Sequence, residues 1–157
     1  MKIGKVMSRR VRTCLVSDDA NTATQTMWEN DCGFLPVVDS EGRLCGVVTD
    51  RDLLMGAYTQ GRALRDMTVG SVMSRNVHTC ASDDDVWHVE RLMRSAQIRR
   101  VPVVGPEGSL VGIVSLGDLA RSSQSSAAKK ALEGLALAKT LSAICQPRPH
   151  GRAIAAE

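Results

Sequence analysis

Two short stretches hold the residues whose types and spacing could do chemistry, Gly46-Val47-Val48-Thr49-Asp50-Arg51-Asp52 and Gly112-Ile113-Val114-Ser115-Leu116-Gly117-Asp118. Each ends an apolar, strand-like run with a hydroxyl, Thr49 or Ser115, and sets a carboxylate, Asp52 or Asp118, three residues further on. At a helix start such a pair has a plain structural use: the hydroxyl accepts an early backbone N–H and the acid occupies the first turn. The same geometry suits a ligand. A helix start offers free N–H groups to phosphate, the hydroxyl adds a donor, and a carboxylate one turn on can accept both hydroxyls of a ribose. Arginine is a strong phosphate ligand. Arg51 stands where the second stretch has Gly117, and Arg99 and Arg100 stand where the first copy has Gly33 and Phe34, although all three could equally be solvated surface.

Nothing comparable points to catalysis. The three histidines, at 78, 88 and 150, show no Ser/His/Asp order, no H-E-x-x-H and no His/Cys cluster, so the chain is expected not to be an enzyme. Its five cysteines (14, 32, 45, 80 and 145) include no C-x-x-C pair and no zinc-finger spacing. They read as small buried hydrophobes in a reducing compartment. Cys145 differs because it lacks a repeat partner, and a metal-binding or redox-responsive module using Cys145 with Cys14 or a histidine is the alternative class.

The elements that must position these residues follow from an internal repeat. Shifted by 66 positions, Ile3 to Leu53 aligns without a gap on Val69 to Leu119. The shared residues include Val6-Met7-Ser8-Arg9 with Val72-Met73-Ser74-Arg75, Thr13-Cys14 with Thr79-Cys80, and Pro36-Val37-Val38 with Pro102-Val103-Val104. Within each copy an alternating stretch, Val11 to Val16 or Val77 to Cys80, predicts a strand. Ser17-Asp18-Asp19 and Asp83-Asp84-Asp85 then start a helix, with Ala20, Ala23 and Met27 or Val86, Val89, Met93 and Ala96 as its apolar stripe. Two β-branched runs joined by a Gly-bearing loop make a hairpin, and a second helix follows. Each copy therefore reads strand, helix, strand, strand, helix: an α/β (α+β) fold of two β-α-β-β-α units. The expected organisation is a first unit over 1–60, a polar linker over 61–68 within the polar stretch Gly56 to Thr68, a second unit over 69–121 and a tail over 122–157. Ser122 to Ser126 reads as a flexible break, 127–145 as a further helix, and the Pro-containing run after Gln146 as loose.

Composition narrows the classes further. Each repeat of about fifty residues is marginal alone, so the two should bury their apolar faces together. The formal charge of +3 comes from the tail, leaving 15 basic and 15 acidic residues up to Arg121. A neutral body with few aromatics offers no stripe or stacking platform for nucleic acid. No segment has the length of a membrane span and none near the start resembles a signal peptide, so a soluble cytoplasmic protein is expected.

The doubled Gly-h-h-Thr/Ser-x-x-Asp pattern with both Pro-Val-Val strands, together with Val6-Met7-Ser8 and Val72-Met73-Ser74, resembles a tandem pair of CBS (cystathionine-β-synthase) domains, a Bateman module, over about residues 1 to 121. The resemblance implies small sheets packed about a pseudo-two-fold axis, a non-catalytic sensor role, and adenosine compounds (AMP, ADP or ATP) held in two related clefts. It also implies that Asp52 and Asp118 hold ribose, that Thr49 and Ser115 meet phosphate, and that the base lies near Val11, Thr13 and Pro36 or near Val77, Thr79 and Pro102. S-adenosylmethionine, NAD or a cyclic dinucleotide are further ligand options. Single pairs in this family usually leave apolar helix faces to bury, so a homodimer is expected, acting on itself or on a separate regulated protein.

Overall fold

The computed structural model describes residues 1–122 and 127–146. Its elements are β1 (Cys14–Leu15), α1 (Ala20–Glu29), β2 (Phe34–Val38), β3 (Leu44–Thr49) and α2 (Asp50–Gln60), then β4 (Cys80–Ala81), α3 (Val86–Ala96), β5 (Arg100–Val104), β6 (Leu110–Ser115), α4 (Leu116–Ser122) and α5 (Ala127–Ile144). The two copies form separate three-stranded sheets, β1-β2-β3 and β4-β5-β6, each with a parallel first pair and an antiparallel second pair. The mixed α/β class and the strand, helix, strand, strand, helix order are those expected from the pattern.

The first strand of each copy is shorter than the alternating stretch suggests. Residues Val11 to Thr13 do not pair; β1 begins at Cys14 opposite Val37, and β4 at Cys80 opposite Val103. The residue before each of these partners is a proline, Pro36 or Pro102, which has no N–H to offer either neighbouring strand. The ladder therefore stops one residue past it, and the preceding backbone is released to wander over the sheet end.

The N-terminal segments of the two copies are exchanged. Ser8 and Ile113 of β6 donate to each other's carbonyls at 2.9 Å, while Ser74 and Val47 of β3 make the same reciprocal pair at 2.9 Å. Ile3 and Met7 are accordingly buried in the core of the second repeat, with Val89, Met93, Val101 and Leu119. Val69 and Met73 lie in the core of the first, with Met27, Leu35, Val48 and Leu53. Ile3 and Val69 are fully buried, and each such side chain contributes roughly 1.5–3 kcal/mol by leaving water. Each core thus needs an apolar residue from the other copy.

The stretch Gly56 to Thr68 is not a free linker. Helix α2 continues to Gln60 and ends on Gly61, whose φ of 62° gives the left-handed cap that glycine favours. Met67 is 1% exposed and fills the first core beside the half-buried Leu64. Two apolar residues in a polar neighbourhood are enough to tie the connection down. Of the expected break, Ser122 closes α4 while 123–126 lie outside the described residues, as does everything after Gln146, His150 included.

Helix α5 packs on α3 and α4 of the second repeat. Ile144 is buried in that core, Leu137 packs against it, and Gln97 donates from Nε2 to the carbonyls of Ala143 at 3.2 Å and Gln146 at 3.1 Å. The equivalent face of the first repeat has no such cover among the described residues. Between α1 and α2 an apolar groove of about 510 Å³ is lined by Met27, Trp28, Leu53, Leu54, Ala57 and Leu64 among others. Trp28 is 86% exposed and Tyr58 78%.

The exchange requires close backbone approach at two glycines. A Cβ on Gly46 would lie 2.9 Å from the Ser74 carbonyl oxygen and 3.0 Å from Met73 Sδ, and one on Gly112 would lie 2.8 Å from Met7 Sδ and 3.1 Å from the Ser8 carbonyl oxygen. Gly46→Ala and Gly112→Ala should each destabilise the protein by about 1–3 kcal/mol through overpacking. By contrast, Gly134→Ala in α5, with open space around the new methyl, should stabilise it by up to about 1 kcal/mol through helix propensity. Urea midpoints of the three variants check this; equal midpoints for all three would contradict the exchange geometry.

Candidate functional site

Both hydroxyl–carboxylate pairs are formed. At the β3–α2 junction Thr49 donates to Asp52 Oδ2 from its backbone N–H at 2.9 Å and its hydroxyl at 2.7 Å, and Asp52 N–H returns to Thr49 Oγ1 at 3.1 Å. At β6–α4 the same three bonds join Ser115 and Asp118 at 2.7, 2.6 and 3.1 Å. Both are capping boxes, so the structural use is real. It also consumes the N–H groups expected to be free for phosphate. Around α2, Asp50 donates to the Gly33 carbonyl and Arg51 to the Asp50 carboxylate, and at α4 Leu116 donates to the Arg99 carbonyl at 2.9 Å. Fewer N–H groups than expected are therefore left for a phosphate.

The boxes leave one carboxylate oxygen each, Oδ1. In the second copy Asp118 is 8% exposed, and its Oδ1 accepts from the Arg121 guanidinium and, at 3.4 Å, from the Ser8 hydroxyl. In the first copy no bond to Asp52 Oδ1 is present among the described residues. Position 55, which corresponds to Arg121, is a methionine.

Asp118 opens into a cleft of about 430 Å³ whose walls come from both repeats. Ile113, Ser115, Asp118, Arg121 and Arg100 are contributed by the second copy; Ser8, Arg10, Val11, Arg12, Asn30, Cys32, Phe34 and Pro36 by the first. The exchange explains the mixture. Once Ser8 is bonded to Ile113, the unpaired backbone of residues 10–12 must pass across the end of β6, while Pro36 approaches from its own sheet. Arg12 is steadied by an Nε bond to Asn30 Oδ1 at 2.8 Å. The Arg100 guanidinium carbon lies 5.8 Å from the centre of the Phe34 ring, within reach of a cation–π attraction. These two residues are repeat equivalents and meet near the pseudo-two-fold.

Of the residues expected from sequence, Val11, Pro36, Arg100, Ser115 and Asp118 are brought together in this cleft. Thr13 is exposed and outside its walls, as are Arg51 and Arg99. Thr49, Asp52, Val77 and Pro102 occupy the positions that the 66-residue shift assigns to a second, related site, with Thr79 exposed beside it. Ser8, Arg10, Arg12, Asn30 and Arg121 were not expected. Only Ser8, inside the repeated Val-Met-Ser, carried a signal.

The thiol chemistry is muted at two of the cysteines. Burial, helped by the nearby Asp18 and Asp84 charges respectively, pushes the thiols of Cys14 and Cys80 up to about 12. Neither is a thiolate near neutral pH. Cys14 belongs to the first core, whereas Cys145 is exposed beyond Ile144 of the second.

The CBS domain family model matches residues 3–57 and 69–125, and the chain belongs to that family as a tandem pair. Hypoxic response protein 1 of Mycobacterium tuberculosis is 32% identical over 136 residues, covering 86% of this chain and 88% of that protein. MK0525 of Methanopyrus kandleri is 30% identical over 119 residues, and the match spans 76% of this chain but 61% of that protein, less than two thirds. Among solved structures, the CBS domain pair of protein MJ0100, in complex with methylthioadenosine and S-adenosyl-L-methionine, superposes with a TM-score of 0.69 at 30% identity, covering 78% of this chain and 98% of that one. CBSX2 in complex with AMP gives 0.68 at 26% identity, covering 77% and 94%. Hypoxic Response Protein I with two coordinated zinc ions gives 0.70 at 30% identity, covering 77% and 98%. Among the described residues no helix is long and apolar enough to cross a membrane.

Proposed function

We propose that this CBS pair is a non-catalytic cytoplasmic sensor that binds an adenosine-containing ligand, AMP, ADP or ATP, in the cleft at Asp118 and in the related position at Asp52. The observation that carries the reading is the meeting of Asp118 and Arg100 with Val11 and Pro36 in one concave site: a buried carboxylate for ribose hydroxyls, a guanidinium for phosphate, and apolar surface for a base. The adenosine compounds held by MJ0100 and CBSX2 support it. Of the metal or redox alternative, Cys145 with Cys14 or a histidine, the Cys14 pairing draws no support from the burial of Cys14.

Asp118 is less exposed than a helix-start carboxylate usually is, so its removal carries a stability cost as well as a binding one. Alanine there would leave the Ser115 N–H and the Arg121 guanidinium without their partner. Asp118→Asn keeps the shape and discards the charge. It should weaken ADP binding by roughly 1.5–3 kcal/mol, about tenfold or more in Kd, while the thermal midpoint moves little. Calorimetric titration of Asp118→Asn, Asp52→Asn and the double variant ranks the two positions, and a double variant binding ADP as tightly as the parent would reduce both carboxylates to caps.

The open groove on the first repeat is proposed to be covered by a second copy of the chain. Helix α5 closes the equivalent face of the second repeat from within, which leaves the first repeat's apolar face open among the described residues and fits a symmetric contact between two molecules. Light scattering at micromolar concentration should give a dimer mass for the parent and a monomer mass for Trp28→Glu. A monomeric parent would contradict it.

A further inference from the structure

The cleft at Asp118 is far more cationic than its counterpart. Arg10, Arg12, Arg100 and Arg121 face it against a single acid, Asp118. The 66-residue shift carries Arg10 to Asn76, Arg12 to His78 and Arg121 to Met55, while Arg100 and Phe34 exchange with each other, so that the difference rests on Arg10, Arg12 and Arg121.

These cations are also poorly neutralised. Among the described residues, Arg10, Arg12 and Arg100 have no carboxylate partner; Arg12 bonds an amide oxygen and Arg100 lies over a ring. Only Arg121 is paired, and its partner is Asp118, the group on which a ribose would depend. Arg121 is 72% exposed at the side chain and reaches from one turn further along α4, so it can leave Asp118 without disturbing the core. Guanidinium forks gathered in a concave site with low-dielectric walls select ligands of high negative charge.

Resting on the adenosine reading above, we infer that the Asp118 cleft is selective for a nucleoside polyphosphate, with two or more phosphates, over a monophosphate or an uncharged adenosine compound, and that Arg121 is the residue that sets this selectivity. In the empty cleft Arg121 holds Asp118 Oδ1. On binding, the ribose hydroxyls take over that oxygen and the guanidinium moves to the phosphate chain. A ligand without phosphates must break the Asp118–Arg121 pair and gives Arg121 nothing in return. A polyphosphate replaces one ion pair with another. The Asp52 position has Met55 in place of Arg121 and so lacks this guard on its carboxylate.

The test is a calorimetric series of adenosine, AMP, ADP and ATP without added divalent cation, on Asp52→Asn to silence the other position, and on the same protein carrying Arg121→Met or, independently, Arg10→Asn. With Arg121 present, affinity should rise along the series, ATP binding at least about thirtyfold tighter than adenosine at low salt, with the gap narrowing as salt is added. Arg121→Met should lose about tenfold in ATP affinity while adenosine binds as well or better, so that the ratio between them collapses. Arg10→Asn should reduce ATP affinity without improving adenosine, which separates a phosphate contact from the residue that guards the carboxylate. Equal affinity for AMP and ATP, equal affinity across the whole series, or an unchanged ratio in Arg121→Met, overturns the polyphosphate inference and leaves the adenosine reading standing. If none of the four compounds binds, the adenosine reading itself has failed.

Discussion

The exchanged N-terminal segments are the contact on which the rest of the molecule depends. Each core is closed by apolar residues from the other copy, Ile3 and Met7 in one direction and Val69 and Met73 in the other. Neither repeat can keep its own hydrophobic interior when the two separate, which is how units of about fifty residues overcome unfavourable surface-to-volume scaling. The backbone pairs Ser8 with Ile113 and Ser74 with Val47 fix the register of this exchange. Gly46 and Gly112 are its steric condition, since a side chain at either would meet the incoming segment.

The cleft is a by-product of that arrangement. The β1–β2 ladder stops one residue short of Pro36, so the backbone after Ser8 runs unpaired over the end of β6 and delivers Arg10, Val11 and Arg12 beside Ser115 and Asp118. The capping box then does two things at once. One oxygen of Asp118 holds the helix start, and the other faces the cleft. A structural use of the carboxylate and the proposed ligand-binding one are therefore compatible, since the helix start uses only Oδ2.

Much of the fold could be read from the chain because its signals are local. The Asp19 cap, which accepts from Thr22 N–H at 2.8 Å, the hairpins and the Thr49 and Ser115 boxes all lie where the spacing placed them. The exchange could not be read, for a physical reason: Ile3 and Val69, and Met7 and Met73, are interchangeable in size and polarity, so an apolar pattern is the same whether a segment packs on its own sheet or the other. Through the exchange, Val11 and Pro36, the residues expected on the base side, lie in one cleft with the second copy's Asp118. Met67 was hidden in a polar stretch. Arg121 carries no repeat signal, because the equivalent position 55 is a methionine.

The central claim is that one cleft is assembled from both repeats. A heteronuclear NMR titration with ADP reads this directly through the backbone amides. The account predicts that signals from residues 8–12 and from residues 113–121, separated by about a hundred positions in sequence, shift together and fit a single dissociation constant. Shifts confined to one repeat, or different constants for residues 8–12 and residues 113–121, would contradict it.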